Sequence, residues 1–139
     1  MKGIKAKLVV DENAQPKFCK PRQVPYAIRP KVEAELDRLE EEGIVSKVNY
    51  REWATPIVPV AKKNGTVRIC GDKVTVNPVL QVDQYPLPRI EDIFSELAGG
   101  QKFTRMDLHQ AYHQMELDDE SKKFLTINTS KGLYRYNRL

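Results

Sequence analysis

Asp107 and Leu108 are the residues of this 139-residue chain whose types and order best suit metal chemistry. The carboxylate closes a short run carrying Phe103 and Met106, where an unpaired buried charge would be very costly. A hard cation such as Mg²⁺ takes carboxylate and carbonyl oxygens together, so the Leu108 carbonyl can join Asp107 on one ion. Tyr112 follows in the next turn, close enough for its ring to lie beneath a sugar held near the same metal. An Asp between strand and helix also serves routinely as an N-cap, so the neighbours decide. No second acidic pair in a similar setting follows before Leu139, and one aspartate cannot hold two ions.

Other candidates are weaker. His109 and His113 have the i,i+4 spacing of a zinc pair but lack a third ligand nearby, so they are expected at the surface. Ser46, Ser95 and Ser121 have no His and Asp arrangement and no nucleophile-elbow glycines around them. Asp118-Asp119-Glu120 before Lys122-Lys123 predicts the acidic first turn of a short helix.

The elements that position these residues are legible in the spacing. Pro30 stands where a first helical residue belongs, Val32, Leu36 and Leu39 recur at i, i+4 and i+7, and Gly43 closes the run. Lys31–Glu35 and Arg38–Glu42 are expected pairs on its wet side. Asn64-Gly65 between 57–60 and 67–70 predicts a hairpin with Lys62 and Lys63 at its tip, both residues tolerating positive φ. Pro56 and Pro59 predict that its first strand is an edge. A loop over 77–88 leads to a second helix with Ile90, Ile93, Phe94 and Leu97 on one face, stopped by Gly99-Gly100. A strand ending near Asp107, a turn over 109–114 and a second hairpin around 130–132 complete the order. Lys5 to Val10 alternates weakly as a strand. Residues 1–27 read as an extended Pro-rich arm and residues 28–139 as the domain proper. The absence of regular βα alternation favours α+β.

Composition sets outer bounds. With 40% hydrophobic and 30% charged residues the chain is neither disordered nor membrane-spanning, and a net charge of +4 is compatible with a phosphate-bearing partner. Cys19 and Cys70 lie far apart, which points to a reducing compartment, cytoplasmic or nuclear. No apolar run approaches a membrane span.

The run Asp107-Leu108-His109-Gln110-Ala111-Tyr112-His113-Gln114-Met115-Glu116-Leu117 resembles the first catalytic motif of retroelement reverse transcriptases. The likeness extends along the chain. The segment from Pro25-Tyr26-Ala27-Ile28-Arg29 to Gly43-Ile44-Val45 resembles the helix opening the fingers, and Trp53 through Cys70 resembles the fingers hairpin. Asp83-Gln84-Tyr85-Pro86-Leu87-Pro88 resembles the turn into the palm, and Gly132 through Leu139 the stretch before the family's Pro-Phe-Gly motif. Taken in order, these are similar to long-terminal-repeat retrotransposons of the gypsy type.

The resemblance implies a right-hand polymerase fold of mixed helices and antiparallel hairpins with an incomplete palm sheet. It implies that Asp107, with the Leu108 carbonyl, is the first of three metal-binding aspartates holding two Mg²⁺ ions. Tyr112 would exclude a ribose 2′-hydroxyl. Arg68 and either Lys62 or Lys63 would meet the triphosphate of an incoming deoxynucleotide, where Arg can grip phosphate bidentately. For the lysines alone, a solvated hairpin tip is the competing reading. Asp72, Lys73 and Asn77 would meet the template strand. The family usually carries an aromatic residue between Asp72 and Lys73, absent here, and a one-residue loss turns strand side chains to the other face. Residues 1–139 stop before the Pro-Phe-Gly and Tyr-x-Asp-Asp motifs. The expectation is therefore a truncated reverse transcriptase whose intact parent extends a primer on an RNA or DNA template, the fragment itself holding no metal pair. The alternatives are a non-enzymatic nucleic-acid-binding remnant, with Lys20, Arg22 and Arg29 adding to its basic surface, or a non-functional translation product.

Overall fold

Pro30 has no N–H to lose and a φ already suited to a helix. The computed structural model, which describes residues 3–49, 52–72, 74–81 and 85–139, opens α1 (Arg29–Glu41) at that point and ends it before Gly43, whose φ is +70°. Val32, Leu36 and Leu39 are buried, as their spacing predicts. Burying each contributes about 1.5–3 kcal/mol. On the wet side the expected Arg38–Glu42 pair forms and the Lys31–Glu35 pair does not. Arg38 grips both oxygens of Glu35 and also reaches Glu42 at 2.6 Å, while Lys31 donates instead to the Gly65 carbonyl at 2.9 Å. With two glutamates within its reach, the guanidinium fork takes Glu35 as the bidentate partner.

The chain also forms β1 (Lys5–Ala6), β2 (Val45–Val48), β3 (Thr55–Ala61), β4 (Val67–Gly71), α2 (Ile90–Leu97), β5 (Glu116–Leu117), α3 (Asp119–Lys122), β6 (Thr126–Thr129) and β7 (Gly132–Tyr136). Five strands make one mixed sheet in the order β2-β7-β6-β3-β4, and β1 pairs with β5 in a second, parallel ladder. The core lies where Val32, Leu36 and Leu39 meet Val45, Ile57, Val67, Ile69, Ile127 and Tyr134.

Both hairpins form as expected. In the first, only Gly65 takes a positive φ, +80°. Asn64 instead accepts hydrogen bonds from the Thr66 N–H and hydroxyl. The Lys62 N–H donates to the Thr66 carbonyl and the Gly65 N–H to the Lys62 carbonyl, so the loop is longer than a two-residue turn.

Three expectations are corrected. β3 is not an edge, because β6 pairs in parallel with its first residues, Thr55↔Ile127 and Pro56↔Asn128. Prolines are tolerated because β6 reaches no further than Pro56, leaving the missing donor of Pro59 on the uncovered part of that side. Residues 103–108 form no strand, since an extended segment without a partner has no ladder to join. The strand expected over Lys5–Val10 shrinks to β1, followed by a single bridge between Val10 and Leu80.

α2 forms, with the Asp92 carboxylate accepting the Arg89 N–H at 3.2 Å, and ends where Gly99 turns to φ +83°. Its apolar face stays largely open, with Ile90, Ile93 and Leu97 exposed and Phe94 68% exposed. The N-terminal arm, by contrast, is tied down. The Asp118 N–H donates to the Ala6 carbonyl, the Leu8 N–H to the Ser121 hydroxyl, and Phe18 bridges to Ala54.

Candidate functional site

The residues around Asp107 are exposed and follow no regular element until the 3₁₀ turn Ala111–Gln114. Gln110 enters that turn at φ 47°, ψ 50°, a left-handed conformation that costs a non-glycine residue of order 1 kcal/mol. Two side-chain contacts hold it. His113 Nδ1 lies 3.1 Å from Gln110 Oε1, and Gln114 Nε2 donates to the His109 carbonyl at 2.9 Å. The turn leaves Tyr112 77% exposed, and Leu108 and Asp107 ahead of it are exposed as well. Behind it, Met115 to Leu117 run beside the chain's last residues, with the Leu139 N–H on the Met115 carbonyl and the Leu117 N–H on the Asn137 carbonyl.

Of the two histidines expected at the surface, His109 is exposed and His113 half-buried. Burial and then the Arg38 charge lower its pKa, with Lys62 adding to the same direction against Glu42 and Glu35. The hairpin lysine thus enters the electrostatic surroundings of the turn that carries Tyr112. Beside them an open depression of about 390 Å³ lies between Glu42 and Ile44 on one side and His109, His113 and Arg138 on the other.

Asp107 makes no hydrogen bond or ion pair among the described residues, and no group of three His, Cys, Asp or Glu there could hold a metal ion. One free carboxylate and one carbonyl fall short of the octahedral oxygen set that Mg²⁺ demands.

The basic candidates gather on the first hairpin. Val60 pairs with Arg68 and Val58 with Cys70, and these four share the sheet face turned from α1. Arg68 is exposed, with Nε 3.3 Å from Cys70 Sγ, and Lys62 and Lys63 stand exposed at the tip. Asp72 continues the row at the end of β4. Its carboxylate is only 16% exposed and is ion-paired with Arg22 of the arm. Asn77 opens an exposed 3₁₀ turn, Asn77–Val79, within the stretch expected to be loop. Lys73, like Asp83 and Gln84, lies outside the described residues. The pairing of Arg22 with Asp72 had no local signal, because fifty residues of sequence separate the two.

No family model matches the chain. An uncharacterised Caenorhabditis elegans protein is 44% identical over 138 residues, covering 97% of this chain and 11% of that one. The retrovirus-related Pol polyprotein of Drosophila melanogaster transposon 412 is 30% identical over 131 residues, 90% of this chain and 10% of that one. The chain thus spans about a tenth of the length of these relatives. Among solved structures, a prototype foamy virus protease–reverse transcriptase superposes with a TM-score of 0.76 at 18% identity, over 97% of this chain and 18% of that one. A foamy viral protease–reverse transcriptase in complex with double-stranded DNA gives 0.68 at 21% identity, over 98% and 22%. The chain is related to retroelement polyproteins, and its mixed helix and strand fold is shared with a part of the viral protein.

Proposed function

We propose that the chain is the fingers and first palm elements of a gypsy-type reverse transcriptase, an RNA-directed DNA polymerase whose intact form extends a primer on an RNA or DNA template. The observation that carries this reading is the exposure of Asp107 and Leu108 ahead of a braced turn that carries Tyr112, in a chain whose hairpin presents Arg68, Lys62 and Lys63 on an exposed surface. Polyprotein relatives from transposons and the fold shared with a viral protein that binds duplex DNA support it.

Each residue then has a task. Asp107 and the Leu108 carbonyl supply one corner of a metal site whose other ligands lie outside residues 1–139. When bound there, two Mg²⁺ ions would activate a primer hydroxyl and stabilise the leaving pyrophosphate. Tyr112 blocks a ribose 2′-hydroxyl, Arg68 and the tip lysines meet the triphosphate, and Asp72, Lys73 and Asn77 lie along the template. The second reading, a non-enzymatic nucleic-acid-binding remnant, is favoured by the exposed basic residues Lys62, Lys63 and Arg68 of the first hairpin.

Primer extension with Mg²⁺ or Mn²⁺ tests both. The 139-residue chain alone should extend nothing, and a chimaera completed with the Tyr-x-Asp-Asp region of a relative should extend an RNA-templated primer and lose this on Asp107→Ala. A chimaera equally active with Asp107→Ala would refute the polymerase reading.

A further inference from the structure

Asp72 is a poor match for a polyanion unless something neutralises it. Arg22 does so through Nη2 on the Asp72 Oδ2 oxygen, and yet stays 57% exposed. A guanidinium has five donors, so N–H groups remain to face solvent while the carboxylate anchors one nitrogen of the fork.

Both partners are held from behind. The Asp72 N–H donates to the Pro56 carbonyl at 2.8 Å and its carbonyl accepts the Thr55 hydroxyl. Upstream of Arg22, the Cys19 N–H donates to the Ala54 carbonyl at 2.8 Å and the Cys19 carbonyl accepts Asn128 Nδ2 at 3.1 Å. Downstream, Val24 packs against the core and the Pro25 carbonyl accepts the Ile28 and Arg29 N–H groups. Arg68 precedes Asp72 by four residues, roughly 13 Å along the strand direction. Between Arg68 and the Arg22–Asp72 pair lies hairpin surface carrying Val58 and Val60, which pair with Cys70 and Arg68.

We infer that Asp72 acts as a positioning residue, holding Arg22 as a preformed clamp for a nucleic-acid phosphate beside Arg68. This rests on the nucleic-acid reading above and reverses the task given there to Asp72, which no longer touches the strand. A preformed fork loses less side-chain freedom on binding than a free surface arginine.

The test is fluorescence anisotropy of the full 139-residue chain with a labelled single-stranded RNA across a salt series, each variant first matched to the parent by circular dichroism. Arg22→Ala should weaken binding about tenfold at low salt and flatten the log–log salt slope by about 0.7, one phosphate contact. Arg22→Lys, which keeps the charge without the fork, should restore the slope but not the full affinity. Asp72→Asn is diagnostic because it removes a negative charge. It should weaken binding when Arg22 is present and strengthen it in the Arg22→Ala background. Asp72→Asn strengthening binding equally in both backgrounds, or Arg22→Ala leaving the slope unchanged, would overturn the clamp while sparing the nucleic-acid reading. A parent chain with no salt-dependent binding would overturn both.

Discussion

The Thr55 hydroxyl donates to the Asp72 carbonyl, taking the place of the N–H that neighbouring Pro56 cannot offer. The Asp72 N–H meanwhile reaches the Pro56 carbonyl, so the closing rung of the first hairpin keeps both bonds despite the proline.

Thr55→Val should therefore destabilise the fold by about 1–3 kcal/mol, since a part-buried carbonyl loses its donor with little change in volume. Urea unfolding followed by circular dichroism measures this, and an unchanged midpoint would remove the hydroxyl from the hairpin's support.

How much was legible follows from the range of each signal. Val32, Leu36 and Leu39 with Pro30 and Gly43 write α1 within one stretch, and Asn64-Gly65 writes its hairpin likewise. β3 was misjudged because its prolines say only that a donor is missing, not that Ile127, seventy residues away, would pair at Thr55. Phe103 to Leu108 has strand composition without a strand neighbour among the described residues, and composition cannot supply one. At the site, the motif from Asp107 to Tyr112 was local and visible. The contacts of the chain's last residues with Met115 and Leu117, and the grip of Arg22 on Asp72, exist only once distant segments meet.

Acid should loosen the turn that carries Tyr112. His113 has a folded-state pKa below its ordinary 6.5, so the unfolded chain takes up the proton first. Its contribution is complete above about pH 6.5 and is lost as pH falls through the lowered folded value. The urea midpoint should decline over that interval, and His113→Gln should remove this component, leaving only the carboxylate titrations at lower pH. Parallel midpoint-versus-pH curves for the two proteins would contradict the assignment.

Lys62, Lys63 and Arg68 replaced together by Ala should leave stability within about 0.5 kcal/mol, because all three are exposed. Affinity for single-stranded RNA should start in the range of about 10⁻⁴–10⁻⁶ M and fall, with the salt slope shallower by about 2. Any preference among sequences should not move.

Tyr112→Ala, introduced into the completed chimaera, should raise ribonucleotide incorporation relative to deoxyribonucleotide while folding stability is unaffected, the ring being exposed. Competition between the two nucleotide types in primer extension reads this out. An unchanged ratio ends the sugar-gate assignment.

The bare apolar face of α2 makes a further demand. Ile90, Ile93, Phe94 and Leu97 together form a patch that favours association. The chain should self-associate with rising concentration in analytical ultracentrifugation, and Ile93→Lys with Phe94→Lys should shift it toward monomer without altering its circular dichroism. Unchanged association would place the contact elsewhere.

The arm that runs from β1 to Arg22 has a consequence for how the chain is made. Leu8 leaves the ribosome 113 residues ahead of Ser121, whose hydroxyl accepts its N–H, a lag of roughly 6–23 s at the usual pace of synthesis. Throughout that interval Lys5 to Leu8 have no β5 and no α3 to bind. These arm residues are thus among the last to find their places, and the arm seals the fold rather than seeding it.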